Sequence, residues 1–173
     1  PNPVDSSIDD LKVYENKNAE FDLFFAMSHG VHRGVLKKGK FDDRENIINY
    51  LIKKNPHIKF NIFGMNKIQP IWGEDFKNQL FNSKIALNLS QGIPLKYYSS
   101  DRIAQLMGNG IATLVDKKTQ LNKFFSNEEV MFYNSASDLS KKLNFMLKNH
   151  KLRNKLAKKG RSIYHKKFNS KIV

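Results

Sequence analysis

Apolar residues fall into short runs along this chain, and the period within the runs changes from place to place. Phe21 to Met27 is almost wholly apolar, the mark of a strand buried on both faces. Ile58 to Phe63 alternates and then meets Gly64. Ile85 to Leu89, Ile111 to Val115 and Val130 to Tyr133 complete five strand-like runs. Between them the period lengthens. Ile47, Ile48, Leu51 and Ile52 share one helical face, with Asp42 or Asp43 placed to cap it and Asn55-Pro56 to stop it. Asp75 to Asn82 predicts a short helix. Ser100 to Met107 predicts another, opened by Ser99-Ser100-Asp101 and stopped by Gly108 and Gly110. Leu121 to Phe125 reads as a helical turn. Ser137 is expected to cap a helix carrying Leu139, Leu143, Met146 and Leu147, and a basic helix with Leu152, Leu156, Ile163 and Tyr164 follows it.

Strands spaced by helices of this length predict βαβ units. The expected fold is α/β: a Rossmann-like open, mainly parallel sheet of about five strands flanked by helices. A chain of 173 residues suits one buried domain, expected over residues 21–173. Residues 1–20 carry five acidic residues, two prolines and little periodicity, and read as a linker or interdomain segment. No internal repeat or low-complexity tract interrupts the pattern.

Composition narrows this picture. Cysteine is absent, which excludes disulfides and thiolate metal sites and is compatible with a reducing compartment. No apolar run approaches the length of a membrane span. The opening PNPVDSS has neither an initiator methionine nor a signal-peptide pattern, so an excised fragment is expected. Net charge is +14, and twelve basic residues with no acidic ones lie between Lys141 and Lys171. Such an end could meet nucleic acid, anionic lipid or an acidic substrate, or simply be a solvated lysine-rich face. Arginine is scarce and aromatic residues are not interleaved as stacking platforms, so no nucleic acid is expected. A cytoplasmic setting is expected, with peripheral contact at the inner face of an anionic membrane left open.

Two stretches carry candidate chemistry. The loop after the first strand places Arg33 and Lys38 five positions apart among glycines, where backbone and cations could meet a diphosphate. It matches neither the dinucleotide nor the P-loop glycine pattern. The second stretch runs from Tyr97 to Val115. Its helix N-terminus, at Ser99, Ser100 and Asp101, has amides placed for a phosphate, and Arg102 and Gln105 follow about one turn apart. His29 and His32 bracket Gly30 at the end of the first strand, where ligand contacts are common in open α/β sheets and a structural hydrogen bond is commoner still. The five histidines show no metal-ligand spacing, and no Ser-His-Asp order or paired-carboxylate motif is present. Trp72, the one tryptophan, is expected to pack.

Taken in order, these features resemble a known family. Arg33 with Lys38-Gly39, the helix ending at Asn55-Pro56, the strand closing at Phe63-Gly64, and the block Asp101-Arg102, Gln105, Gly110 resemble the C-terminal, donor-binding half of GT-B glycosyltransferases. From Trp72 to Phe168 the chain is most similar to the spore-maturation-protein-like branch of the group 1 enzymes. The resemblance covers roughly residues 21 to 170. It implies a domain that binds a nucleotide-diphosphate sugar (UDP-, GDP- or another) for transfer to a glycan, lipid-linked or protein acceptor. By residue, it implies diphosphate contacts from Arg33, Lys38, Ser99 and Ser100, and nucleotide or ribose contacts from Gly64, Met65, Asn66 and Gln105. Sugar contacts are implied for His29, Gly30, Tyr98, Asp101 and Arg102. It implies no metal and no cofactor. It places the acceptor site and the usual catalytic base in an N-terminal domain outside this chain, so no residue here is assigned as catalyst. One departure stands out. Where the retaining branch often has two glutamates eight positions apart, this chain has Tyr97 and Gln105. The competing readings are a basic α/β module that binds nucleic acid or anionic membrane, and a non-catalytic relative of the glycosyltransferases.

Overall fold

A computed structural model describes residues 1–28, 43–90 and 94–172. Five strands form one sheet: β1 (Phe21–Ala26), β2 (Phe60–Phe63), β3 (Ser83–Asn88), β4 (Ala112–Asp116) and β5 (Met131–Tyr133). Their order is β2-β1-β3-β4-β5 and every neighbouring pair is parallel, in register at Leu23↔Phe60, Leu23↔Ile85, Ile85↔Ala112 and Leu114↔Met131. The helices are α1 (Arg44–Lys54), α2 (Gly73–Phe81), α3 (Asp101–Gly108), α4 (Ala136–Lys148) and α5 (His150–Lys167). The expected Rossmann-like α/β architecture is the one observed, and all five strand runs lie where the apolar pattern puts them.

The two faces of the sheet follow from alternation along each strand. Leu23, Phe25 and Met27 join Ile85, Leu87 and Leu89 under Ile48 and Leu51 of α1 and Leu139 and Leu143 of α4. Phe24 and Ala26 turn the other way, onto Leu80 of α2 and Leu106 of α3. Strands covered on both faces need no polar alternation, which is why β1 reads as a continuous apolar run. Helix α5 packs against both α3 and α4 and closes the β4 side.

Two caps differ from expectation. Helix α4 is capped by Ser135, two residues before Ser137. Its hydroxyl accepts the amide of Asp138 at 3.2 Å, and the Asp138 carboxylate reaches back to the amide of Asn134 at 2.9 Å. A reciprocal pair of this kind settles two orphan donors at once, which a single serine at 137 could not do. At α1, Asp43 holds the N-cap position, but its carboxylate accepts the side-chain amide of Asn46 rather than a backbone amide. The glycine stop of α3 divides in two. Gly110 has the left-handed φ of 71°, whereas Gly108 is still helical, and a β-carbon there would lie 2.4 Å from Val4 Cγ2.

Residues 1–20 lie against the domain. Val4 is fully buried and pairs with Asn169, giving its amide to Phe168 O at 2.7 Å. The amides of Leu11 and Val13 go to Asn109, and that of Tyr14 goes to Gly110. From the other side Arg161 Nε donates to Leu11 O and the Tyr164 hydroxyl to Asn2 O. A single 3-10 turn, Val13–Glu15, is the only regular element of the segment.

The capping geometry gives a direct check. Ser135→Ala should lower stability by about 1 kcal/mol in chemical denaturation, and Ser137→Ala should leave it within about 0.5 kcal/mol of the parent. Equal losses would contradict the Ser135 assignment.

Candidate functional site

In a sheet of this order the chain steps outward from β1 to β2, then returns past β1 to lay down β3. The helices that follow β1 and β3, α1 and α3, therefore lie on opposite faces of the sheet, leaving between them the crevice where open α/β sheets take ligands. One side chain spans it. Arg102, in the first turn of α3, donates from Nε to Ala26 O at 2.9 Å and from a terminal nitrogen to Leu89 O at 2.5 Å. Its guanidinium also lies 5.5 Å from the centre of the Phe25 ring. Part of its hydrogen-bonding capacity is thus committed to the scaffold.

Beside Arg102 opens a cleft of about 560 Å³. Its floor is Ala26, Met27 and Ser28 at the end of β1. One wall is Ser100, Asp101, Arg102 and Gln105 of α3, and the other is Trp72, Glu74 and Lys77 at the start of α2. Residues 7–9 and Asn109 close the end. Gln105 is exposed on its wall, and Trp72 stands 62% exposed on the rim. A smaller cavity of about 250 Å³ lies beyond the ends of β3 and β4, between Arg44, Asn88, Ser90, Asp116 and Lys118. Ser100 joins the two, its hydroxyl 3.4 Å from the Asn88 side-chain oxygen.

The N-terminus of α3 points into this region. Ser100 has the extended N-cap backbone (φ −87°, ψ 160°) but makes no side-chain cap. The first-turn amides are therefore not closed by a side chain, the condition under which a helix N-terminus can accept an anion. Acidic groups nearby are tuned by burial. Asp9 has its pKa raised by desolvation, although the Asp5 amide and the Asn109 side chain both donate to it. Asp116 is raised by burial as well, and so is the Tyr133 hydroxyl, which finds no hydrogen-bond partner among the described residues.

The sequence-derived residues part company here. Ser100, Asp101, Arg102 and Gln105 come together on one wall. Ser99 does not: it is buried, and its hydroxyl accepts the amide of Asn2 at 3.1 Å. Asn2 also holds the Asp101 carboxylate through its side-chain amide. Gly64, Met65 and Asn66 lie away from the cleft lining. Gly64 has φ 84° and sits so close to β1 that a β-carbon would fall 1.8 Å from Met27 O. That turn sends Met65 into the core, 3% exposed, and Asn66 donates to Asn49 of α1. Tyr98 is exposed outside the lining. Tyr97, at the first of the two glutamate positions, has a left-handed φ of 61°; its amide donates to Thr119 O and its ring meets Phe124 edge-on. His29, Gly30, Arg33 and Lys38 lie outside the described residues. Among the described residues no three His, Asp or Glu side chains gather where a metal ion could be held.

Sequence reasoning missed Trp72, Lys77, Asn109 and Asp9. For Trp72 a signal existed: an aromatic followed directly by glycine, between a strand and an amphipathic helix, is a loop position and not a core one. Gly73 has φ 56° with open space around it, and Trp72 is extended (φ −146°, ψ 172°), so the indole is held at the rim and not folded back.

A family model described as glycosyl transferase-like matches residues 44–171. No curated protein sequence matches. Among solved structures, the chain is similar to sucrose-phosphate synthase from Thermosynechococcus elongatus, at 15% identity and a TM-score of 0.53, over 73% of this chain and 31% of that one. Similar too is Anabaena HepE in complex with UDP and glucose, at 10% identity and a TM-score of 0.59, over 74% of this chain and 41% of that one. A third is the C-terminal domain of LpcC, a group 1 family glycosyl transferase from Francisella tularensis, at 15% identity, a TM-score of 0.50, and 74% and 64% coverage. At these identities the likeness establishes the fold, and the chain spans less than two thirds of each of these proteins.

Asp9 makes the stability of the cleft's end wall depend on pH. Its pKa is raised in the folded state, so the carboxyl is bound more tightly to its proton there than in the unfolded chain. Its contribution to stability is therefore most favourable below the ordinary carboxylate value and falls as pH rises through the raised folded value. Asp9→Asn should flatten that part of the stability–pH curve. The check is the difference in denaturation free energy between parent and variant from acid to neutral pH. A constant difference would contradict the burial argument.

Proposed function

Because the chain belongs to the glycosyl transferase-like family, we infer that it forms the donor-binding half of a glycosyltransferase of the GT-B kind, holding a nucleotide-diphosphate sugar in the 560 Å³ cleft. The observation that carries this reading is the convergence of Trp72, Arg102, Gln105 and the uncapped start of α3 on the crevice between β1 and β3. The base lies against the Trp72 indole, whose face offers stacking to any base. The side-chain amide of Gln105 hydrogen-bonds a ribose hydroxyl from the opposite wall. The diphosphate meets the first-turn amides of α3 beside the Ser100 hydroxyl. Arg33 and Lys38, from outside the described residues, supply the cationic charge. That HepE is recorded with UDP and glucose supports a UDP-sugar as the first donor to try.

Chemically, this half stabilises a leaving group. Breaking the bond between sugar and diphosphate leaves negative charge on the departing phosphate oxygen. Amides at a helix N-terminus, with the charge of Arg33 and Lys38, stabilise that oxygen. Acceptor binding and the catalytic base are assigned to an N-terminal domain outside this chain, and no metal is assigned a role. Gln105 sets the alternative. A neutral amide accepts a hydroxyl proton about half as strongly as a carboxylate, so a non-catalytic relative that retains the fold is the second reading.

As the only tryptophan, Trp72 reports directly on its own cleft. Titrating UDP, UDP-glucose and GDP should quench its fluorescence, and the preferred nucleotide should raise the melting temperature. Gln105→Ala should weaken binding roughly tenfold, about 1.4 kcal/mol, and Gln105→Glu should strengthen it. Neither quenching nor a melting shift at millimolar nucleotide sugar would sink the donor-site reading.

A further inference from the structure

Helix α5 carries a feature that the donor cleft does not use. Lys151, Lys155, Lys158 and Lys166 are all exposed. At 3.6 residues per turn they fall, with exposed Ser162, within an arc of about 80° along a helix about 27 Å long. None of the four forms an ion pair among the described residues. Glu128, whose charge also acts on Lys155, is paired with Lys159 on the neighbouring strip. Like charges three and four positions apart destabilise a helix, and no acidic residue occurs after Asp138 to offset them. Two exposed apolar side chains flank the junction of α4 and α5, each with exposed lysines three or four positions away on its own helix. Leu152 in the first turn of α5 is 41% exposed and Phe145 in the last turn of α4 is 49% exposed, with Lys141, Lys148 and Lys151 also exposed.

We propose that this lysine stripe, with Phe145 and Leu152, is a docking surface for an anionic lipid bilayer. Three observations select lipid over nucleic acid. Both arginines of the segment are half-buried and each gives a hydrogen bond to a backbone carbonyl, Arg153 to Met146 O and Arg161 to Leu11 O, so neither is among the fully exposed cations of α5. The exposed cations are all lysines, point charges that suit a surface of many loosely placed headgroups. The exposed apolar groups are one aliphatic and one aromatic side chain, enough to enter the headgroup boundary and too few for a stacking platform along a strand. Among the described residues no helix is long and apolar enough to cross a membrane, so the contact is one of surface adsorption along α5. The proposal is independent of what occupies the cleft.

Vesicle co-sedimentation of the 173-residue chain tests it, with phosphatidylcholine alone and phosphatidylcholine mixed with phosphatidylglycerol, each at low and high sodium chloride. Binding to the anionic vesicles should exceed binding to the neutral ones by about tenfold or more, and should fall by a similar factor at high salt. Changing Lys151, Lys155, Lys158 and Lys166 together to Gln should abolish the anionic preference while the melting temperature, read by circular dichroism, stays near that of the parent. Phe145→Ser with Leu152→Ser should weaken adsorption and leave its salt dependence in place. No binding, or equal binding to neutral vesicles, would overturn the proposal. Displacement from the vesicles by single-stranded RNA at comparable concentration would overturn it in favour of a nucleic-acid surface.

Discussion

The reach of one guanidinium across two neighbouring strand ends is the constraint on which the rest of this structure depends. A sheet that reverses its winding between β1 and β3 leaves their last carbonyls without a common neighbour, at the one place where a ligand needs room. Arg102 answers both demands. Its planar fork satisfies Ala26 O and Leu89 O together, its face lies near Phe25, and its helix is thereby fixed with the N-terminus over the crevice. A lysine in that position would offer a point charge to one carbonyl and leave the other to water. The resemblance implied a sugar contact for Arg102. The geometry gives it a positioning task first, and any contact with a ligand is made by a side chain already anchored.

The N-terminal segment adds a second hold on the same helix. Asn2 takes Ser99 and Asp101, Val4 sits where Gly108 leaves room for it, and Asp9 and Asn109 bond beneath the end of α3. Arg161 and Tyr164 of α5 fasten the segment from outside. Helix α3 is thus gripped at both ends by residues that precede the sheet in sequence. If an acceptor-binding domain precedes this chain, as proposed, its position and the setting of the first-turn amides of α3 are connected through a dozen residues.

What the sequence disclosed, and what it hid, follows from where each group finds its partners. The strands were legible because a parallel sheet covered on both faces leaves uninterrupted apolar runs, and the helices between them were legible from their period. Residues 1–20 were opaque because much of what ties them to the domain, the bonds with Asn109, Arg161 and Tyr164, comes from roughly a hundred or more positions away, and local pattern cannot reveal such partners. Ser100, Asp101, Arg102 and Gln105 were found together because one helical turn brings them together. Met65 and Asn66 were assigned to the nucleotide by their place after a strand glycine. The left-handed turn at Gly64 instead sends them toward the core and α1. Trp72 was taken for a packing residue because tryptophan usually is one. Only the sheet order shows that the start of α2 faces α3 across a gap.

Gln105 and the lysine stripe of α5 point to one division of labour. Gln105 offers the cleft a neutral amide, and the described walls carry Asp9, Glu74 and Asp101 as well as Lys77 and Arg102. The surplus of positive charge lies elsewhere, on helices remote in sequence from the strand ends. Its place along an exposed helix suits a surface many headgroups wide, at which orientation matters and the geometry of any single contact does not.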